Sequence, residues 1–185
     1  MANTNAPNGI IPFSHGGQPT TRSYTIAADY ATVLAKGDPV ELTGTGQNIQ
    51  LAAAGNLDSL GVFMGLQYVD SEGNQRFSKV WPAPSGATEI KALVAEARAY
   101  DQFIVQCDTL AEGDVGALVD WATDTANTLF GQSRAYADLT TGTSTSGMAL
   151  RIEGLAPLPN NEYGSYAKAV VSFASSYFNA ATGGV

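Results

Sequence analysis

From Ser23 onward the chain is a succession of short β-prone runs, broken at intervals of about ten residues by Gly, Asp, Asn, Ser and Pro. No window carries apolar residues at a sustained helical spacing, so the pattern predicts an all-β fold, a compact barrel or sandwich of short strands with at most one short helix. "SYTIAADY" (Ser23–Tyr30), "DPVELT" (Asp38–Thr43) and "QNIQLAA" (Gln47–Ala53) read as strands. The "GTG" between the last two supplies a tight turn and hence a hairpin. "LGVFMGLQYVD" (Leu60–Asp70) and "QRFSKVWP" (Gln75–Pro82) flank "SEGN" as a second hairpin, with Phe77 expected in the core. Gly61 and Gly65 mark a bulge, a barrel bend or a close approach of another backbone in the first of these strands.

The stretch from Thr88 to Tyr100 mixes helix formers with the alternation Ile90, Ala92, Val94, and reads as strand to about Ala95. "DQFIVQCD" (Asp101–Asp108) is a further strand whose Phe103, Val105 and Cys107 share a face. In Leu110–Ala122 a short helical turn capped by Asp114 would carry Val115, Leu118, Val119 and Trp121 inward. Gln132–Leu139 reads as strand and Leu139–Gly147 as a polar loop unable to order itself. Met148–Ala156 and Tyr166–Ala174 follow as strands. The expected organisation is an extended N-terminal arm over residues 1–22, a β-rich body over 23–178 and a frayed tail over 179–185.

Charge narrows the function. Nine basic and seventeen acidic residues leave a net charge of −8, which disfavours nucleic acid and anionic membranes as partners. Only 14% of residues are charged, against about a quarter in ordinary soluble domains. A surface so poor in charge and rich in Thr, Ser, Ala and Gly is suited to being covered by other subunits. No apolar run is long enough to cross a bilayer, and the N-terminus lacks the basic and apolar regions of a signal peptide. The single cysteine, Cys107, excludes an internal disulfide and reads as a small buried hydrophobe.

Residues able to do chemistry are sparse. The one histidine, His15, lies in "SHGGQP", a setting that does not hold a catalytic geometry, and no G-x-S-x-G elbow occurs. One Cys and one His do not make a zinc site. The carboxylates, among them Asp29, Asp38, Asp70, Glu72, Asp101, Asp108, Glu112, Asp114, Asp120 and Asp124, fall at strand ends and turns, where Asp caps backbone N–H groups. The expectation is a non-enzymatic protein without cofactor or metal.

"YTIAADYAT", "GDPVELTGTG", "IQLAAAG", "GVFMGLQYVDSEGN", "FSKVWPA", "VQCDTLAEGDVG" and "YGSYAKAVVSF" occur in an order that resembles small virion structural proteins of tailed bacteriophages, the head-decoration or capsid-cement type. The resemblance runs from Met1 to about Phe173 and implies a barrel-like, usually trimeric body on the outer surface of the head, made in the bacterial host cytoplasm. The major capsid protein is the implied partner, and an N-terminal arm reaches over neighbouring subunits.

Under that resemblance, Ile10, Ile11, Pro12, Phe13 and His15 in the arm, and Trp81 at a strand exit, are the expected capsid or subunit contacts. Ordering about twenty arm residues costs about 20–40 kcal/mol of backbone entropy. Three apolar anchors return only about 2 kcal/mol each, so the arm is expected to be disordered in solution and its deletion to leave the body folded. Two other readings compete: a tail, neck or other minor virion component, and a carbohydrate-binding or hydrolytic β-domain using Trp81, Trp121 and tyrosines as a sugar platform.

Overall fold

The computed structural model describes residues 3–13, 19–83, 86–144 and 148–179. The strands, in chain order, are β1 (Ile11–Phe13), β2 (Thr21–Tyr24), β3 (Leu34–Ala35), β4 (Pro39–Leu42), β5 (Ile49–Leu51), β6 (Gly61–Val69), β7 (Gln75–Ser78) and β8 (Val80–Trp81). They continue as β9 (Thr88–Glu96), β10 (Gln102–Gln106), β11 (Thr109–Leu110), β12 (Leu118–Ala122), β13 (Tyr136–Ser144), β14 (Leu150–Leu155), β15 (Gly164–Ser165) and β16 (Lys168–Phe173). A single 3-10 turn at Glu112–Asp114 is the only helical element among the described residues.

Two antiparallel sheets dominate. The first runs β1-β10-β16-β14-β12-β13; the second runs β2-β9-β6-β4-β5, with β7 added alongside β6. Small pairs, β3 with β8 and β11 with β15, complete the architecture, and neither large sheet closes on itself. The fold is therefore the all-β sandwich of the two expected alternatives. Both predicted hairpins form, β4 with β5 and β6 with β7.

The inner face of the first sheet carries Phe103, Val105, Cys107, Val119, Trp121, Ile152, Ala169 and Val171. It packs against Val62, Ala95 and Ala97 of the second sheet's layer, the spacing that alternating side chains produce between stacked sheets. A second cluster, with Leu34, Val40, Phe63, Trp81, Ala92 and Val94, covers the opposite face of the second sheet. β6 and β9 are thus buried on both sides, which is why their alternation gives way to continuous burial at Val94, Ala95 and Glu96. Gly61 meets the expectation of a close approach, since a Cβ there would lie 2.1 Å from the Ala95 carbonyl oxygen. The β6–β9 register shifts between Phe63 and Gly65, the expected bulge.

Three local expectations are corrected. The helical turn ends at Asp114, whose carboxylate accepts the Ala111 N–H at 2.6 Å, and Val115 is exposed. Val119 and Trp121 reach the core by strand alternation in β12. The polar stretch from Leu139 is part of β13, which pairs with β12 at Asp120–Asp138 and again at Val119–Thr143 across a break in register; Thr145–Gly147 lie outside the described residues. Phe77 is exposed because, among the described residues, β7 borders β6 alone and nothing packs over its face.

Candidate contact surface

The N-terminal segment is built into the body. β1 pairs with β10 through Ile11–Ile104, Pro12–Phe103 and Phe13–Gln102. Upstream, the Asn3 amide donates to the carbonyls of Glu162 (2.7 Å) and Ser165 (3.1 Å). The Gln106 side chain accepts the Ala6 N–H at 2.9 Å and donates to Asn5 Oδ1 at 3.0 Å. Ile10 is 0% exposed, within the core between the sheets, and its N–H donates to the Gly37 carbonyl at 2.9 Å. This corrects the expectation of an arm disordered in solution for residues 3–13. Ladder bonds, side-chain clamps and one fully buried anchor offset the ordering cost within the chain itself.

Of the expected contact residues, Ile10 is therefore unavailable to any partner. So is Trp81, 0% exposed, whose indole N–H donates to the Tyr30 carbonyl at 3.0 Å and whose ring meets Tyr68 edge-on at 6.1 Å. Ile11, Pro12 and Phe13 are half-buried in an edge strand, and His15 lies outside the described residues. Trp121 is buried beside Phe173, so neither tryptophan can form a sugar platform.

Six of the carboxylates, Asp38, Asp70, Asp108, Asp114, Asp120 and Asp124, cap backbone N–H groups as their positions predict. Asp70 accepts the N–H groups of Glu72 and Asn74 and pairs with Arg76 at 2.8 Å, which holds its pKa below the usual range. Asp38 accepts the Ala35 N–H at 2.7 Å; burial raises its pKa against the opposing hydrogen bonds from Ser133 and Ala35. Asp108 accepts the N–H groups of Thr109, Leu139 and Thr140 and the Thr140 hydroxyl, fastening the β10–β11 junction to β13. Burial alone would raise its pKa, but those donors outweigh it and the net shift is downward. Burial pushes the Cys107 thiol up to about 12, an inert group on the inner face of the sheet.

Glu96 was not among the carboxylates picked out of the sequence. Fully buried at the end of β9, it accepts the Tyr24 hydroxyl at 2.6 Å and the Arg98 guanidinium at 2.6 Å, with Arg22 3.6 Å away. Burial and then the Glu96 hydrogen bond push the Tyr24 phenol up to about 12. Arg98 in turn lies over the Phe178 ring at 4.8 Å. The signal was present, because continuing the alternation Ile90, Ala92, Val94 by two residues puts Glu96 on the same face. The arrangement is a satisfied charge cluster joining β2 to β9, with no nucleophile in it.

A cleft of about 550 Å³ lies beside Tyr100, Gln102, Arg151, Glu153 and Ser172, where the Ser172 hydroxyl donates to Glu153. A smaller one, about 240 Å³, is walled by Asn5, Gln106, Asp108, Arg134, Tyr136 and Tyr166. In the second, Gln106 and Asp108 already hold protein groups, so their polar atoms serve the fold. Among the described residues no three His, Cys, Asp or Glu side chains converge as a metal site, and no helix is long and apolar enough to cross a membrane.

Several large apolar side chains are exposed on the surface. Tyr100 (97%), Leu129 (85%), Phe77 (75%) and Phe130 (65%) stand largely in solvent. Leu129 and Phe130 lie in "NTLFGQ", where two large apolar residues in a turn composition are the local signal for their exposure. Comparison with protein-family models, curated proteins and solved structures returned no match.

Proposed function

We propose that this chain is a non-enzymatic structural protein of a tailed-phage particle that sits on the outside of the head and braces contacts between neighbouring major capsid subunits. The observation that carries the reading is the pairing of a charge-poor surface with large apolar side chains held in solvent by an ordered β framework. A diffusing protein gains nothing from such a surface, whereas a protein covered by its neighbours recovers the hydration cost of each exposed ring. Contacts of modest strength suffice, because lattice repetition and a trimeric form multiply them. The acidity of the chain keeps it from competing for packaged DNA. The order of the sequence segments resembling decoration proteins supports the same reading.

The test is co-sedimentation of the purified chain with undecorated heads of a phage that encodes it. Saturable binding in proportion to capsid copy number is the expected result. Binding at only a few copies per particle would place the chain at the neck or tail, and no binding would overturn the virion reading.

A further inference from the structure

The turn that carries Leu129 and Phe130 is constructed with care that its exposure does not explain. Asn127 and Gln132 close it with two backbone hydrogen bonds, N–H to carbonyl, at 2.8 and 3.1 Å. The Asn127 side-chain oxygen accepts the Phe130 N–H at 3.3 Å from within. Its base is tied to the body, since Gln132 bridges Lys36 and the Ser133 N–H donates to the Lys36 carbonyl at 2.9 Å. Gly131, at φ +67, is buried against Lys79; a Cβ there would lie 2.8 Å from Lys79 Cβ and 3.3 Å from Val80 Cγ2. Only glycine allows both that backbone conformation and that contact.

A fixed turn that holds Leu and Phe in water is preorganised for binding, because the ordering cost of the contact is already met before a partner arrives. The surroundings indicate what the partner presents. Lys36 and Lys79 flank the turn in a chain with nine cations and seventeen anions, and the stem of Lys79 lies along Gly131 while its residue is exposed. Arg134 follows two residues beyond the turn and is only loosely paired with Asp124, at 3.7 Å. An apolar tip with Lys79 beside it, and with Arg134 and Asp124 offsetting each other nearby, fits an apolar socket with a carboxylate at its rim. Two side chains are too little area to hold two copies of this chain together by themselves, as stable interfaces bury about 1,200–2,000 Å². They suit an anchor repeated across a lattice.

Resting on the decoration reading above, we propose that the Leu129–Phe130 turn is the anchor that plugs into an apolar, carboxylate-rimmed socket on the major capsid subunit. The closing experiment compares the wild-type chain, the Leu129→Ser/Phe130→Ser double variant and Lys79→Glu in co-sedimentation with undecorated heads, at low and high salt. The double variant should lose at least about tenfold in head binding with an unchanged unfolding midpoint, since both side chains are already in solvent. Lys79→Glu, which leaves the tip intact, should weaken binding several-fold, and salt should weaken the wild type more than it weakens this variant. Wild-type binding matched within twofold by the double variant overturns the anchor and leaves the decoration reading standing. No wild-type binding overturns both. If, without heads, the wild type self-associates and the double variant does not, the socket belongs to a second copy and the capsid assignment is overturned.

Discussion

Replacing Ile10 by Ala separates a strand of the body from an arm that waits for a partner. Ile10 has no exposed surface, and it packs in the cluster that holds Phe103, Val105 and Trp121. The substitution removes the equivalent of about three methylene groups at about 0.8 kcal/mol each, so transfer alone costs about 2.4 kcal/mol. The site is walled by two sheets that cannot collapse onto it, and the cavity left behind raises the total to about 3–4 kcal/mol. For a chain of this length each kcal/mol lowers the melting temperature by roughly 2–4 °C, giving a fall of about 6–16 °C. Ile11 is the internal control: half-buried on the opposite face of β1, it should cost about 1 kcal/mol on truncation to Ala. Urea unfolding followed by tryptophan fluorescence reads both, because Trp121 lies in the cluster of Ile10 and Trp81 in the other. An Ile10→Ala variant within 1 kcal/mol of the wild type, or no worse than Ile11→Ala, would refute the assignment of this segment to the core. Deleting residues 1–13 should be more damaging still, since it also strips the ladder from β10.

Two further outcomes follow from buried and capping groups. Asp108→Ala leaves the Leu139 and Thr140 N–H groups without their carboxylate and should cost about 2–3 kcal/mol at neutral pH. Because the folded-state pKa of Asp108 is depressed, its contribution is present above the ordinary carboxylate pKa and lost as pH falls through the folded value. The gap between wild type and variant should therefore shrink below about pH 4, and a gap constant from pH 7 to 2.5 in urea midpoints would contradict the capping role. Cys107, with a thiol pKa of about 12 and no exposed surface, should react with an aromatic disulfide reagent only on unfolding. Rapid labelling of the native chain would mean the inner face of the first sheet opens.

Strands and turns were legible because both are local. The alternation Phe103, Val105, Cys107 states a face, and Asp70 before "SEGN" states a turn whose N–H groups need an acceptor; the folded chain has both. Pairing was not legible, because it depends on which distant run arrives alongside. Nothing within "IIPF" says that it will lie against a strand that begins at Gln102, so its apolar residues looked like contacts for someone else. Phe77 failed in the opposite direction: its own strand alternates correctly, but β7 received no covering layer. "ALVDWA" fits a helical turn or a strand equally well over so few residues, and pairing with β13 and β14 decided for the strand.

The same distinction bears on why this surface carries so little charge. Glu96 and Asp38 are buried, and Asp70, Asp108 and Asp114 have their oxygens turned to N–H groups of the chain. Carboxylates occupied in this way fix turns, but they do little to hold a neighbouring molecule away, since repulsion needs charge facing water. These five carboxylates thus add less to that repulsion than their share of the net charge of −8 implies, and the Leu129–Phe130 turn has Lys79 beside it.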